Sequence, residues 1–250
     1  MPQIVPLSVQ LVAGTRFCPP QGVDWSTDAE GGQALAEFAG RACYQSWSKT
    51  RPSTATNAGF VDHLLQVGHL SVLEHASATL YVRGLSRTAA HEVLRHRHFT
   101  ISELSPRHVE AAGARMVLPT DVAADPALEA LFTTAVGASR AAHDALAAAL
   151  LSGLDAEPGS GQRRKQARQA ALGLLAGATE TQLVITGNYR TWRHFVAARA
   201  TDHVDREVRA LAVACLRELC DVAPNVFRDF EITPLPDGSE VASSPYTTES

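Results

Sequence analysis

Residues 94–108 read LRHRHFTISELSPRH and gather chemistry that the rest of the chain spreads thinly. The stretch holds three Arg and three His, with one Glu, two Ser and one Thr among them. Arg presents a planar, permanently charged fork that matches phosphate or carboxylate, and an irregular backbone adds N–H donors for the same anion. Glu and Ser beside such forks can contact the polar edges of a ribose or a base. The combination suits an extended, multiply charged ligand, such as a dinucleotide cofactor lying beside a nucleotide substrate. Two plainer readings compete with it. Cations at a helix C-terminus favour the helix dipole, which gives His96, Arg97 and His98 a purely structural use. Metal binding is the other, because HEVLRH (91–96) looks like the HExxH zinc helix. Its two His are five apart, about 140° around a helix, and Arg95 stands where the second ligand belongs. No metal site is expected.

A scaffold must hold these residues. VPLSVQLVA reads as a first strand. GGQALAEFAGRACYQSW and TATNAGFVDHLLQVGH carry apolar residues at helical spacing, the second stopped by Gly68. HASATLYVRG alternates as a strand, with Ala76, Ala78, Leu80 and Val82 on one side. Ser86 can cap a helix running to about Arg97, followed by an irregular stretch over 98–107 stopped by Pro106. ARMVLP reads as a short strand, 126–151 as a long alanine-rich helix, and SGLDAEPGSG as a loop. QRRKQARQAALGLL reads as a basic helix and ETQLVITG as a strand, with helices over 189–200 and 203–222 after it. Trp192, Phe195 and Arg199 share one face of the 189–200 helix, as an aromatic floor for a flat ring or as core packing. Arg190 and His194 lie on a different face. Strands and helices alternate without a βαβ rhythm, so the class is α+β. Neither GxGxxG after a strand nor GxxxxGK[ST] occurs, so a Rossmann site and a P-loop have no support.

A chain of 250 residues with 45% hydrophobic content fits one domain over 1–235, with a helical portion at about 126–175 and a polar tail over 236–250. The net charge of −4 removes any general attraction to nucleic acid or an anionic membrane, so a bound anion must be met by a local cluster. No apolar run approaches the ~20 residues of a membrane span. The start, MPQIVPLSVQLVAG, lacks a basic n-region and reads as a strand. Cys18, Cys43, Cys215 and Cys220 form no CxxC pair and read as reduced packing residues of a cytoplasmic protein. Lys49 and Lys165 are the only Lys among 22 basic residues, so nearly every cation is a guanidinium.

Arg95-His96-Arg97 followed by seven residues and Ser105 resembles the signature of the flavin-dependent thymidylate synthases, the ThyX family. GHLSVLEHA (68–76), RTAAHEVLRHRH (87–98), RRKQARQAA (163–171) and TGNYRTWRHFVAARA (186–200) resemble family blocks in the same order. The resemblance covers about residues 5–230. It implies a curved, mostly antiparallel sheet flanked by helices in a single α+β domain. It also implies a homotetramer with active sites between subunits. The implied reaction is reductive methylation of dUMP to dTMP. Methylenetetrahydrofolate gives the carbon, and FAD, reduced by NADPH, gives the hydride. Matched position by position, Ser71, Arg95, His96, Arg97, Glu103, Asn188, Arg190 and His194 would contact FAD. Glu92, Arg95, Glu103, Leu104, Ser105, Arg107 and Arg199 would surround dUMP, with Arg87 alongside. Arg199 would favour ionisation at uracil N3. The chemistry stands on its own terms too. A fixed guanidinium beside N3 and O4 stabilises charge that develops as uracil C5 attacks, and a hydride donor then needs only proximity. No enzymic nucleophile is required. Ser105, without a paired base, is assigned to substrate positioning.

The chain departs from the family pattern at Leu172, where an Arg usually contacts the nucleotide, at Leu175-Ala176 in place of Leu-Pro, and at His108 in place of an aromatic. Losing one charge-assisted bond costs about 1.5–3 kcal/mol. Two outcomes follow: a synthase with weakened or re-routed nucleotide binding, or an FAD-binding flavoprotein of this fold with little synthase activity.

Overall fold

The structure, a computed structural model, describes residues 3–49, 51–106, 115–152 and 160–247. In chain order its elements begin with β1 (Ser8–Gly14), α1 (Gly31–Tyr44), α2 (Asn57–Gln66), β2 (Ser77–Ser86), α3 (Arg87–Val93) and β3 (Thr100–Glu103). There follow α4 (Thr120–Ala123), α5 (Pro126–Leu151), α6 (Ser160–Ala171), β4 (Glu180–Asn188) and α7 (Tyr189–Arg199). The chain closes with α8 (Arg206–Val222), α9 (Pro224–Phe227), β5 (Glu231–Pro234) and β6 (Glu240–Ser243). The class is α+β, as expected from the alternation. The sheet order is β1-β2-β4-β3, and β5 pairs antiparallel with β6 in a separate hairpin. No described helix is long and apolar enough to cross a membrane.

The chain divides into two compact units. One comprises Met1–Leu7, Arg83–Glu92 and Ser102–Leu183, and the other Ser8–Val82, Val93–Ile101 and Val184–Ser250. In the second unit the core is built by α7 and α8 with β1. On α8, Val208, Leu211, Ala212, Cys215, Leu216 and Leu219 recur at spacings of three and four and are all buried. Asp205 starts that helix by accepting the N–H groups of Glu207 and Val208. On β2 and the residue just before it the expected inward set holds: Ala76, Ala78, Leu80 and Val82 are buried. α2 ends just before Gly68, whose φ of 72° is the left-handed geometry that glycine adopts without strain. In the first unit α5 packs with α6, and Met116 bridges Ile4 on one side and Thr179 on the other.

Three expectations need correction. Ser86 does cap α3, its Oγ accepting the Ala89 N–H at 3.1 Å, but the helix stops at Val93 and not at Arg97. The backbone turns there through His96 N–H to Val93 O and Phe99 N–H to His96 O, and both Val93 and Phe99 are buried. Core packing outweighs helix continuation. Within the supposed irregular stretch, Thr100–Glu103 form a strand at the edge of the sheet beside β4. Of ARMVLP, the described residues 115–119 hold one bridging residue, Met116, with Pro119 close behind to end the pairing. The polar C-terminal stretch contains β6, whose Ala242 is buried and donates its N–H to Ala200 O at 2.8 Å.

Candidate active site

Helix α7 is the platform of the second unit's site. Its inner face, Tyr189, Trp192, Arg193, Phe195 and Val196, is buried. Trp192 Nε1 donates to Ala78 O at 3.1 Å. Arg193 is 2% exposed and grips Asp229 with both terminal nitrogens at 2.6 and 2.7 Å, and Val226 O at 2.5 Å. Its guanidinium also lies 4.9 Å from the centre of the Phe230 ring. Trp192 and Phe195 are therefore core, not an aromatic floor for ligand. With its inner face pinned this way, α7 cannot rotate or slide without breaking a buried ion pair.

The residues expected near flavin sit on what remains. Asn188 closes the start of α7, its Oδ1 accepting the Thr191 N–H at 2.8 Å, and its side-chain NH2 has no protein partner among the described residues. Arg190 and His194 are exposed. Arg190 pairs with Glu74 at 2.5 Å, which joins α7 to the 3-10 turn Leu70–His75 that carries the exposed Ser71. At the far end of α7, Arg199 Nε donates to His96 Nε2 at 2.8 Å. A nitrogen that accepts this bond carries no proton, so the hydrogen bond assigns a neutral ring protonated at Nδ1. His96 in turn meets Phe195 edge-on at 5.1 Å, and Phe99 lies 4.4 Å from Trp192. The turn between them is thus clamped to α7, with Arg95 and Arg97 exposed on either side of His96. Only the Nε of Arg199 is engaged, and its two terminal nitrogens have no protein partner among the described residues.

In the first unit, Glu103 on β3 accepts the Thr181 hydroxyl at 3.0 Å and stands 3.6 Å from the Arg87 guanidinium. Leu104 donates its N–H to Gln182 O at 2.9 Å, which carries the strand direction on towards Ser105. Glu92 and Ser105 are half-buried. Arg107 lies outside the described residues. Arg168 and Leu172 are both half-buried, at the end of α6 and at the start of the 3-10 turn Leu172–Leu174.

Sequence reasoning missed three features. One is the Arg193–Asp229 pair, since nothing in a lone Arg between Trp192 and His194 says that it points inward. Another is Tyr189, whose hydroxyl burial pushes up to about 12 and which has no described hydrogen-bond partner. Gly32 makes room for it: a Cβ there would lie 2.4 Å from the Tyr189 oxygen. The third is a buried carboxylate, Glu37, paired with Arg41 at 2.7 Å. Its i,i+4 spacing was a readable signal.

With this arrangement in view, comparison with known proteins is direct. The family model described as "Thymidylate synthase complementing protein" matches residues 26–225. The chain is 59% identical over 249 residues to a flavin-dependent thymidylate synthase of Mycolicibacterium gilvum, 56% to one of Mycobacterium avium and 58% to one of Mycobacteroides abscessus. Each match spans the full length of both chains. The chain belongs to the flavin-dependent thymidylate synthase family, an enzyme family with a flavin cofactor.

Proposed function

We propose that the protein converts dUMP to dTMP by reductive methylation, with methylenetetrahydrofolate as carbon donor and NADPH as reductant, and that it works as a cytoplasmic homotetramer with active sites shared between subunits. The donor set fits FAD. Arg95, Arg97, Arg190 and His194 are exposed cations or imidazoles on a rigid aromatic base, which suits a pyrophosphate and a flat ring. Bound there, reduced FAD supplies the hydride. The Asn188 amide and Ser71 hydroxyl would orient the cofactor. Arg87, Glu92, Glu103, Leu104, Ser105 and Arg107 would hold the nucleotide.

The observation that carries the mechanism is the half-committed guanidinium of Arg199. His96 fixes its Nε and leaves its two terminal nitrogens for a ligand. A fork held in this way can face uracil N3 and O4 and stabilise the negative charge that grows as C5 attacks. It gives up no proton of its own and needs no reorganisation. His96 must stay neutral to accept from Arg199, since a protonated ring would set two cations against each other.

Arg199→Ala should lower thymidylate formation by about 10²–10³-fold, the usual loss for a preorganised charge-stabilising donor, while FAD remains bound. Radiolabelled or chromatographic assay of dTMP beside flavin absorbance separates the two. Loss of flavin with activity per bound flavin unchanged would reassign Arg199 to the cofactor. Leu172 favours a second reading, a flavoprotein with a weak nucleotide site. If it holds, the protein will bind FAD and oxidise NADPH but show no saturable response to dUMP.

A further inference from the structure

The backbone leaving α7 turns at Ala200, at a φ of −89°, without the left-handed residue that often ends a helix. Donors from distant parts of the chain hold that turn instead. Ala242 on β6 donates its N–H to Ala200 O at 2.8 Å, and both residues are buried. Arg209 on α8 donates through one terminal nitrogen to Asp202 O at 2.7 Å and to Thr201 O at 3.4 Å. Its other terminal nitrogen reaches Ser239 Oγ at 3.0 Å, in the turn that joins β5 to β6. One guanidinium thus ties the exit of α7 to the C-terminal hairpin.

Arg209 is 3% exposed, and no carboxylate pairs with it among the described residues. Its Nε has no described partner either. A cation buried on neutral oxygens, with one N–H unsatisfied, is a poor route to stability. Arg193 on α7 is buried against a carboxylate instead. What Arg209 meets is the negative end of the α7 dipole, where a positive charge is favourable. The hairpin that holds its far side is fixed in turn. Asp237 accepts the Ser239 N–H at 2.9 Å and the Ser239 hydroxyl at 2.6 Å, and pairs with Arg206. Just past β6, Ser244 donates its hydroxyl to Asp229, the partner of Arg193.

Arg199 is the residue before this turn. His96 fixes one atom of its side chain, the Nε. The clamp on Ala200, Thr201 and Asp202 fixes the backbone from which that side chain springs. Both are needed to hold the two terminal nitrogens in one place. We propose that Arg209 and the C-terminal hairpin are a positioning device for Arg199, holding the exit of α7 so that its guanidinium meets the uracil without reorganisation. The role rests on the proposed function, whereas the clamp on α7 does not. Arg209 acts through Arg199 and not on a reactant.

Steady-state dTMP formation per bound flavin, measured beside backbone hydrogen exchange over residues 197–205, tests this. Arg209→Lys keeps the charge but cannot span Asp202 O and Ser239 together. It should lower kcat about tenfold and leave KM for dUMP within about twofold, because a displaced charge-stabilising fork is missed mainly in the transition state. Exchange over 197–205 should quicken in the same variant. Ser239→Ala removes one hydroxyl from a half-buried turn residue and serves where Arg209→Lys does not fold. It should lower kcat by a smaller factor, about threefold, with KM again unchanged and exchange again faster. Arg217→Gln breaks only the exposed pair with Glu240 and should alter neither quantity. Faster exchange with kcat per flavin unchanged would make Arg209 a stabilising residue alone and overturn the proposal. Unchanged exchange in both variants would overturn the clamp itself. A wild-type protein that forms no dTMP, with exchange quickened in both variants, would break the proposed function and leave the clamp standing.

Discussion

Helices α5 and α7 look misassigned by composition. α5 runs 26 residues, is mostly Ala and Leu, and buries a single residue, His143. α7 runs 11 residues, includes three Arg and a His, and buries five. Leu131 on α5 is 69% exposed, whereas Arg193 on α7 is 2% exposed. Apolar character alone does not decide burial. What separates the two is partnership: Arg193 finds a carboxylate, a carbonyl and an aromatic face, which satisfy both of its terminal nitrogens inside the protein. The lesson for function is that α7 can hold its outer residues to a fixed geometry because its inner face tolerates no shift. Among the described residues α5 carries no comparable set of anchors.

The sharpest way to break this contrast is to strand the buried cation. Asp229→Ala should destabilise the fold by about 3–5 kcal/mol, since an uncompensated charge remains inside. Chemical denaturation measures it. A loss under about 1 kcal/mol would mean that α7 is not anchored as described. By contrast, Leu131→Ser on α5 should shift stability by no more than about 0.5 kcal/mol, although it removes a large apolar side chain. A larger loss would show that α5 is covered in solution.

Tyr189→Phe sharpens the picture of the inner face at a finer scale. Burial raises the hydroxyl above its ordinary value of 10.0 to about 12. The unfolded chain ionises first as pH rises, so the stability present below pH 10 is lost between 10 and 12. Removing an oxygen without a described partner should be neutral to about 1 kcal/mol stabilising at pH 7, and should flatten the alkaline loss. Thermal melts of both proteins across that window would show it. Identical alkaline behaviour would place the Tyr189 hydroxyl in contact with water.

Much of this was legible in the residues. The alternation of β2 and the 3-and-4 spacing on α7 and α8 are local patterns, and local patterns survive folding. The Arg95-His96-Arg97 signature made the family legible only together with the four ordered blocks at fitting separations, which are local patterns as well. What was not legible came from long-range partners. Thr100–Glu103 is too short and polar to announce a strand, and pairing beside β4 makes it one. The early end of α3 depends on where Phe99 must go, which only Trp192 and Phe195 reveal. Lys49 and Arg51 lie in a stretch with no periodicity at all. Arg41 gathers that stretch against α1 through the Ser46 and Thr54 carbonyls, a long-range tie that no local pattern announces.

We propose that flavin and dUMP bind next to each other, with Arg199 toward the uracil. The visible absorption spectrum of the purified protein, followed by dUMP titration in the same cuvette, tests it most directly. Flavin bands that shift saturably with dUMP would support a shared site despite Leu172. Flavin bands indifferent to dUMP, or a colourless protein that FAD does not reconstitute, would contradict it.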